Sequence, residues 1–275
     1  MFTPRGPYRL RLVRPSGRWH AALPGGDEAL AWQASGGEVH VRAGSERGVE
    51  LARFMLALDD DTGPFHRRFA RDPLLGPSVR ALVGLRPPRL ATVAHAALRA
   101  LCGQLIESGR ARAIERSILR ATGSAAPEAA DLGRFAPAEL CRYGLAPRRA
   151  TALVRLCRTV DLERLRSQPT RHVVERLCRE PCLGPWSCGV IALQGLGRWD
   201  QPLLGDLGLV KLASALAGRW VEPAETADLL APYEEWAGLA GSFLLAGWAR
   251  GLVPGASPDA ARAVRVRARR GARAA

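Results

Sequence analysis

The segment that decides the fold is residues 177–212, which read LCREPCLGPWSCGVIALQGLGRWDQPLLGDLGLVKL. A helix is predicted to end near Cys178, because the five residues from Glu180 to Gly184 have the composition of a tight hairpin. A second helix is predicted to begin at Pro185, since the first helical position does not need the N–H that proline lacks. The free N–H groups at that helix start form a site for an anion such as a phosphate. Such a contact would position a nucleic acid without reading its bases.

The charge of the chain points to a polyanionic partner. The 275 residues carry a formal net charge of +14, and almost all the positive charge is arginine because Lys211 is the only lysine. The Arg-rich tail at residues 258–275 supplies part of this excess, and the rest of the chain is still basic. Nucleic acid is therefore the first candidate partner. A GC-rich coding sequence is the alternative source of so much arginine.

Several classes of protein are excluded by composition. No run of 18 apolar residues is present, so no membrane span is expected, and the start at Met1 lacks an apolar signal region, which predicts a cytoplasmic protein associated with the bacterial nucleoid. None of the six cysteines forms a C-x-x-C pair or a four-cysteine run, so we expect reduced thiols packed as small apolar residues and neither zinc nor an iron–sulfur cluster. We expect no cofactor, and we expect a monomer.

The periodicity of apolar residues predicts an α+β fold with a small N-terminal antiparallel β-sheet and a mainly α-helical body. Alternating patterns separated by Gly/Pro turns predict strands at residues 8–13, 19–22, 29–33 and 38–41. Helical spacing predicts helices at residues 93–106, 110–121, 137–143, 147–159, 170–178, 185–196, 207–217, 223–230 and 233–250. The predicted organisation is a β-rich domain at 1–88, a helical body at 89–254 with a cleft between two lobes, and a disordered Arg/Ala-rich tail at 255–275.

The hairpin segment resembles that of the helix-hairpin-helix DNA glycosylases, and its nearest branch is the bacterial 3-methyladenine DNA glycosylase II type. In that family a Leu-Pro-Gly-hydrophobic-Gly hairpin precedes a helix and a characteristic aspartate about twenty residues further on. Here Asp206 stands 20 residues after Trp186. The matching hairpin residues are Pro181, Leu183, Gly184, Pro185 and Trp186.

The resemblance extends over about residues 6–253. The family's Arg-Pro-Pro and Gly-Gln-Leu elements are similar to residues 86–88 and 103–105, and its Leu-Asp-Asp-Asp element is similar to residues 58–61. Residues 143–150, YGLAPRRA, resemble the Gly-Leu-x-x-Arg-Lys-Ala segment, and residues 231–233 resemble the opening of the last helix. A hairpin alone occurs in many DNA-binding proteins, but the hairpin, the spaced aspartate and the Gly-Gln-Leu element together are a strong signal of the resemblance.

The resemblance implies that Asp206 is the catalytic carboxylate, which stabilises the oxocarbenium-like sugar as a base leaves and aligns a water molecule. Taken alone, Asp206 would be interpreted as a helix N-cap, and the two roles are compatible. Trp186 stands where strand-cleaving members carry a lysine, so base removal without lyase activity is implied. Trp186 and Trp236 are the predicted base-pocket residues, with a core position as the alternative for each.

The predicted DNA contacts lie on two segments. Leu105 occupies the position of the wedge that enters the duplex when a nucleotide flips out, and Gln104 either supports it or contacts DNA. Buried helix positions are the alternative for both. The other predicted DNA-binding residues are Leu183, Gly184, Pro185, Ser187 and Gly205. The resemblance also suggests a monovalent cation held by the backbone carbonyls of Cys178, Glu180 and Leu183 at the hairpin.

The chain departs from the family pattern at several positions. Cys182 replaces the first hairpin glycine, which costs on the order of 1 kcal/mol if the position needs positive φ, and Glu180 replaces an apolar residue. Val190 and Leu207 stand where the nearest branch has pocket aromatics, and Glu234-Glu235 replaces Arg-Ser. The range of bases accepted is therefore expected to differ from that of the branch.

The leading hypothesis is a monofunctional base-excision-repair glycosylase that hydrolyses the N-glycosidic bond of alkylated bases, 3-methyladenine first, flipped out of double-stranded DNA. The alternative is a catalytically weak or inactive DNA-damage-binding protein of the same fold. A bifunctional lyase or a mismatch adenine glycosylase ranks third, because of Trp186 and the missing iron–sulfur cysteines.

Overall fold

The computed structural model describes residues 1–104 and 107–274, with side chains described up to residue 266. The molecule is mainly α-helical and contains one antiparallel sheet of three strands, in the order β1-β2-β3. The predicted α+β class is therefore confirmed. Within the described residues, no helix is long and apolar enough to cross a membrane.

The N-terminal sheet consists of β1 (Arg18–Ala22), β2 (Glu28–Gln33) and β3 (Val39–Ala43). Glycine-containing turns join the strands, and each residue of β2 alternates between a buried and an exposed side. Helix α2 (Glu46–Met55) packs against the sheet. The buried side of the sheet and α2 enclose the smaller of two hydrophobic clusters, which includes Trp19 and Val39.

The strand predicted at residues 8–13 is wrong. Leu10–Val13 forms a single helical turn, α1, with Leu10 fully buried. The side chain of Gln33 satisfies this backbone in place of a neighbouring strand: its Oε1 accepts from the Leu10 N–H at 2.9 Å, and its Nε2 donates to the Tyr8 carbonyl at 3.1 Å. The alternation of apolar and polar residues at 8–13 therefore belongs to a helical turn whose backbone is hydrogen-bonded by the Gln33 side chain.

The remaining helices include, in order, the nine that helical spacing predicts, and five more at residues 46–55, 63–69, 76–81, 129–133 and 258–274 that it did not predict. Most of their apolar faces form one large core, whereas the helix at residues 46–55 packs in the smaller cluster. They are α2 (Glu46–Met55), α3 (Gly63–Phe69), α4 (Gly76–Ala81), α5 (Val93–Gly103), α6 (Ser108–Thr122), α7 (Ala129–Gly133), α8 (Pro137–Arg142), α9 (Pro147–Thr159), α10 (Thr170–Cys178), α11 (Pro185–Val190), α12 (Leu207–Ala217), α13 (Thr226–Leu230), α14 (Ala237–Trp248) and α15 (Pro258–Ala274). Ile191–Leu196 continues α11 with π-helical winding. Short 3-10 turns lie at Pro24–Gly26, Glu163–Ser167, Pro223–Glu225 and Ala231–Trp236.

Helix α5 is the central element of the helical body. All its residues from Val93 to Cys102 are buried except Arg99. It packs against α6, α9 and α11, so it places its C-terminal end beside the hairpin that precedes α11. Gly103 and Gln104, at the end of α5, therefore lie next to the hairpin of residues 180–184.

Two segments that the sequence pattern placed outside the helical body, α3–α4 and α15, pack against it in the structure. Helices α3 and α4 precede residue 88 in the chain, yet Phe65 and Val79 are buried in the larger cluster and α4 packs on α14. Where composition predicted a disordered tail, the structure has α15, which packs on α12 and buries Ala261 and Val264. Apolar residues three positions apart on one helical face explain that contact.

Candidate active site

The hairpin between α10 and α11 has the predicted conformation. The Glu180 N–H donates to the Leu177 carbonyl at 2.9 Å, and the Leu183 N–H donates to the Glu180 carbonyl at 3.2 Å. Cys182 lies in the left-handed region with φ of 67°, so the sequence places an L-residue where the family has glycine. The strain expected from that substitution is therefore present in the backbone.

The start of α11 faces solvent. Gly184 is the N-cap and makes no side-chain capping bond, and Pro185 occupies the first helical position. Both residues are exposed, and a methyl group added at Gly184 would meet no atom within 4 Å. No side chain that the structure describes caps the N–H groups of this first turn, and the anion contact expected there stays a prediction. Leu183, by contrast, is 4% exposed and packs into the core beneath the hairpin.

Gln104 holds the hairpin against the end of α5. Its Nε2 donates to the Cys182 carbonyl at 2.5 Å and to the Ser187 Oγ at 2.6 Å. The Gln104 carbonyl in turn accepts from Arg149 Nη1 at 2.8 Å. Ser187 is only 1% exposed. The Gln104 and Ser187 side chains, both predicted DNA contacts, are thus joined to each other inside the protein, and Leu105 lies outside the described residues.

Asp206 is the N-cap of α12 and also contacts the hairpin helix. Its Oδ1 accepts from the Gly208 N–H at 2.8 Å and from the Leu209 N–H at 3.3 Å. Its Oδ2 accepts from Trp186 Nε1 at 3.0 Å. The carboxylate is half-buried. The helix N-cap is therefore observed on one oxygen, the other oxygen is bonded to Trp186, and the catalytic role of Asp206 stays a prediction.

The loop that carries Asp206 is fixed on its other side. Gly205 has φ of 76°, and its N–H donates to Thr226 Oγ1 at 2.8 Å. A side chain at Gly205 would approach Pro223 to 3.3 Å. The positive φ and the close neighbour together explain a glycine before the aspartate.

Trp186 lies in a space that Gly103 leaves open. A methyl group built on Gly103 would stand 2.7 Å from Cη2 of the Trp186 ring. The glycine of the Gly-Gln-Leu element therefore has a function that sequence reasoning did not assign, since it admits the ring that donates to Asp206. The sequence signal for this function was that Gly103 is adjacent to Gln104. Gly103 contacts Trp186, and Gln104 bonds Cys182 and Ser187, so both residues contact the hairpin and the start of α11.

Trp236, the second predicted pocket residue, lies in an aromatic cluster. Its ring centroid is 5.7 Å from that of Phe65 and 6.0 Å from that of Trp199. Phe65 also contacts Phe243 at 5.0 Å. The structure thus assigns Trp236 to the packing between α3 and α14, and its role in base binding stays a prediction.

The acidic residues that depart from the family pattern are paired with arginines. Glu180 is 6% exposed, and its Oε1 accepts from Arg176 Nη1 at 2.5 Å. Arg68 donates to Glu234 at 2.7 Å and to Glu235 at 2.8 Å. Sequence reasoning missed Arg68, because its partners lie more than 160 residues away. These pairs reduce the repulsion that the acidic residues would exert on a phosphate.

The predicted cation site at the hairpin is compatible with the backbone and stays a prediction. The Glu180 carbonyl accepts one N–H, from Leu183, and a carbonyl has a second lone pair for a cation. Over residues 1–104 and 107–274, no group of three or more His, Cys, Asp or Glu could hold a metal ion. The Cys178 and Cys188 sulfurs lie 3.0 Å apart across the hairpin as free thiols.

Comparison with known proteins identifies the fold. No family model matches the chain. The chain is similar to a DNA-3-methyladenine glycosylase of Bacillus subtilis (strain 168), with 21% identity over 216 residues that cover 72% of this chain and 71% of the relative. The 3-methyladenine DNA-glycosylase of Archaeoglobus fulgidus matches with a TM-score of 0.75 and 17% identity, over 90% of this chain and 97% of that one.

A third protein extends the likeness to a different chemistry. The 8-oxoguanine glycosylase/lyase of Clostridium acetobutylicum, in complex with dsDNA containing cytosine opposite 8-oxoG, matches with a TM-score of 0.71 and 18% identity, over 90% of this chain and 93% of that one. The chain therefore has a fold shared by glycosylases with and without lyase in their names. The fold alone therefore does not distinguish a glycosylase from a glycosylase/lyase, and that distinction has to be argued from the residues around Asp206.

Proposed function

We propose, from the confirmed resemblance to the helix-hairpin-helix DNA glycosylases, that this chain is a monofunctional DNA glycosylase for alkylated bases, with 3-methyladenine as the first candidate. The observation that carries the proposal is the 3.0 Å hydrogen bond from Trp186 Nε1 to Asp206 Oδ2. It joins the helix after the hairpin to the one carboxylate that the sequence pattern singles out. The names of the relatives support the substrate class.

Asp206 is suited to stabilise positive charge on a sugar. As the N-glycosidic bond breaks, charge develops at C1′, and an ionised carboxylate beside it lowers the barrier electrostatically. The two N–H groups of α12 and the Trp186 indole hold the Asp206 carboxylate in one orientation. A fixed carboxylate needs little reorganisation during the reaction, and it can also align the attacking water.

Trp186 supports a reaction that ends with base removal. An indole nitrogen cannot attack C1′ and form a Schiff base, which strand cleavage by a lyase requires. Lys211 is the only lysine of the chain and lies in α12, five residues beyond Asp206. We therefore propose hydrolysis without strand cleavage.

The surroundings of Asp206 can accept a flat, electron-poor base. The Trp186 ring is half-buried and offers a stacking surface, which suits the positive charge of a base such as 3-methyladenine. Leu207 follows the aspartate and is 48% exposed, so an apolar side chain lies at the edge of the same site. Fewer aromatic walls than in the related branch favour small alkylated bases over a broad range.

DNA binding is assigned to the start of α11. Gly184 and Pro185 are exposed, and the unpaired N–H groups behind them fit one phosphate of the backbone. Gly205 has no side chain, so the DNA backbone can also approach the protein closely next to Asp206. Gln104 and Ser187 support the hairpin through their mutual hydrogen bond, and direct contact of either residue with DNA stays a prediction.

The alternative function is a damage-binding protein without activity. Two observations favour it: the strained Cys182 in the hairpin, and the apolar Val190 and Leu207 at positions of pocket aromatics. Retention of Asp206 in a fixed, half-buried geometry favours the enzyme.

The deciding experiment measures base release from duplexes that contain 3-methyladenine, 7-methylguanine, hypoxanthine or uracil. We expect release of 3-methyladenine, with strand cleavage only after hot alkali. Asp206→Asn keeps the helix cap but loses the charge, so we expect a loss of activity of about 100-fold or more. Asp200→Asn, in the exposed part of the same loop, is the matched control and should retain activity.

Three outcomes would contradict the proposal. Full activity of Asp206→Asn would show that the ionised Asp206 carboxylate is not needed for base release. Strand cleavage without alkali would show a lyase. Specific binding to damaged duplexes with no base released from any of them would favour the damage-binding alternative.

A further inference from the structure

The outer face of the N-terminal sheet exposes large apolar side chains. In β2 the residues Ala29 and Ala31 point into the smaller core, and the residues between and after them point outward. Leu30 is 46% exposed and Trp32 is 42% exposed. We call outer face the six residues Arg18, His20, Leu30, Trp32, His40 and Arg42. Leu30 and Trp32 lie on the same side of one strand, and adjacent exposed apolar side chains indicate an interaction site better than a single one does.

Trp32 is held as a flat platform. Its ring stacks on His40 of the neighbouring strand, with centroids 5.1 Å apart and planes within 5° of parallel. His40 is its cross-strand partner in β3, and Arg18 is its partner in β1. The ring is therefore flanked by the His40 imidazole on one neighbouring strand and by Arg18 on the other.

The surface next to this platform is a basic groove. A groove of about 930 Å³ is lined by residues of α1, the turn before β1 and the outer face, including Arg9, Arg11, Arg18 and Arg42. None of its described lining residues is acidic. These four arginines form no ion pair with any residue that the structure describes. Glu28, at the edge of the same face, is paired with His20 at 3.2 Å.

We infer that the outer face binds a short segment of single-stranded nucleic acid, with a base stacked on Trp32 and phosphates on the surrounding arginines. Stacking on an exposed ring combined with a basic groove is the chemistry by which proteins hold single strands without regard to sequence. A duplex would present phosphates here but no free base face. The site goes beyond the proposed function, because it lies on the sheet and uses neither Asp206 nor the hairpin.

The test measures binding of a fluorescent 12-nucleotide oligothymidylate by anisotropy over a salt series. Loss of one stacked base weakens binding at least about fivefold, so we expect that effect for Trp32→Ala and a smaller one for Trp32→Phe. Arg42→Ala should lower the slope of log K against log salt by about 0.7. Arg116→Ala removes an exposed, unpaired charge of the described part of α6 and is the matched control, with both affinity and slope unchanged. Far-UV circular dichroism checks that each variant folds.

Two results would overturn the inference. If Trp32→Ala binds the oligonucleotide as tightly as the unaltered protein, the single strand is held elsewhere. If a ten-residue polyglutamate peptide binds in a Trp32-dependent way and the oligonucleotide does not, the face serves an acidic protein segment. Base release from damaged duplexes should be the same for Trp32→Ala and the unaltered protein, so failure of the glycosylase proposal would leave this inference independently testable.

Discussion

At the scale of the residue, Cys182 is a position where sequence and backbone disagree, and Ala57 and Glu234 also have positive φ. The Cys182 φ of 67° is favourable for glycine and costs an L-residue on the order of 1 kcal/mol. The Cys182 carbonyl accepts from Gln104, and any residue at 182 would supply that carbonyl. The side chain itself therefore adds strain to the hairpin without contributing to the bond that fixes it.

Cys182→Gly should stabilise the protein by roughly 1 kcal/mol, because glycine adopts positive φ without the clash of a Cβ. Urea unfolding monitored by circular dichroism measures the change. Cys182→Ala is the matched control, since it removes the sulfur and keeps the Cβ, and it should gain no stability. An equal gain in stability for Cys182→Gly and Cys182→Ala would show that the thiol, and not the positive φ, destabilises the unaltered protein.

Gly103 sets the position of Trp186. Gly103→Ala introduces a methyl group 2.7 Å from the ring, so the ring has to shift and its hydrogen bond to Asp206 lengthens. Because small misplacements of catalytic groups reduce rates strongly, we expect base release to fall roughly 10- to 100-fold. Single-turnover kinetics on a 3-methyladenine duplex measures this loss.

The control for Gly103→Ala is Gly133→Ala in α7, where a methyl group would meet its nearest neighbour at 3.5 Å, an ordinary contact. Its activity should stay within about twofold of the unaltered protein, since the added methyl group makes only ordinary contacts and requires no neighbour to move. A fully active Gly103→Ala would mean that Trp186 does not need its present position.

At the scale of the element, the sequence predicted best where local pattern and tertiary structure agree. The hairpin, α11 and α12 follow from Pro185, Gly184 and the spacing to Asp206, all of which are local signals. The strand predicted at residues 8–13 failed because the Gln33 side chain, distant in sequence, supplies the hydrogen bonds that a strand would have needed. Pairings across the fold leave no periodic signal.

The same limit applies to the site. Asp206 and Trp186 could be predicted because their separation is fixed along the chain, and the structure places them in contact. The inward role of Gln104 could not, because its partner Cys182 lies 78 residues away. Composition also concealed α15, since an Ala/Arg-rich helix buries few side chains.

Helices α5 and α6 are joined by a buried ionic cluster that makes stability depend on pH. Glu115 accepts from His95 at 2.8 Å and from Arg99 at 3.0 Å. Burial would raise the pKa of Glu115, but the hydrogen bonds and positive charges of His95 and Arg99 outweigh it and hold that pKa below its ordinary value of 4.5. The ionised form is therefore favoured in the folded state.

A carboxylate with a lowered folded-state pKa stabilises the protein above its unfolded-state pKa, and this stabilisation is lost as pH falls through the folded value. Glu115→Gln should cost about 3 kcal/mol at pH 7, and the difference from the unaltered protein should shrink below about pH 4.5. Urea unfolding at pH 7 and pH 3.5 measures both. Exposed Glu50→Gln is the control and should follow the unaltered protein at each pH. A constant difference across this range would exclude the ionic cluster as its source.

At the scale of the whole molecule, two hydrophobic clusters are connected by buried arginines. Arg86 is 1% exposed, lies over the Tyr8 ring at 4.9 Å and donates to the Pro7 carbonyl at 3.2 Å. Burial lowers the pKa of Arg86 to about 10, which still leaves it charged at neutral pH. The Arg-Pro-Pro and Leu-Asp-Asp-Asp elements are thus structural: they join the N-terminal segment to the helical body.

Arg89 extends this connection towards the candidate active site. Its guanidinium pairs with Asp60, donates to the Phe54 carbonyl at 3.3 Å and donates to the Gly197 carbonyl at 3.0 Å. Gly197 begins the segment that leads to Asp206, nine residues later. One side chain therefore contacts α2, the loop after it and the end of the helix that starts at the hairpin.

Arg89→Met should destabilise the protein by about 3–5 kcal/mol, because it leaves Asp60 and two carbonyls without their donor in a buried place. Adding Asp60→Asn to Arg89→Met should cost much less than Asp60→Asn alone, and the double-mutant cycle in urea then gives the coupling energy of the pair. If Arg89→Met unfolds like the unaltered protein, the N-terminal sheet and the helical body are stabilised separately. If the expected loss is found, the sheet, with its exposed Trp32, and the segment carrying Asp206 belong to one cooperative unit, and a strand bound at one would stabilise the other.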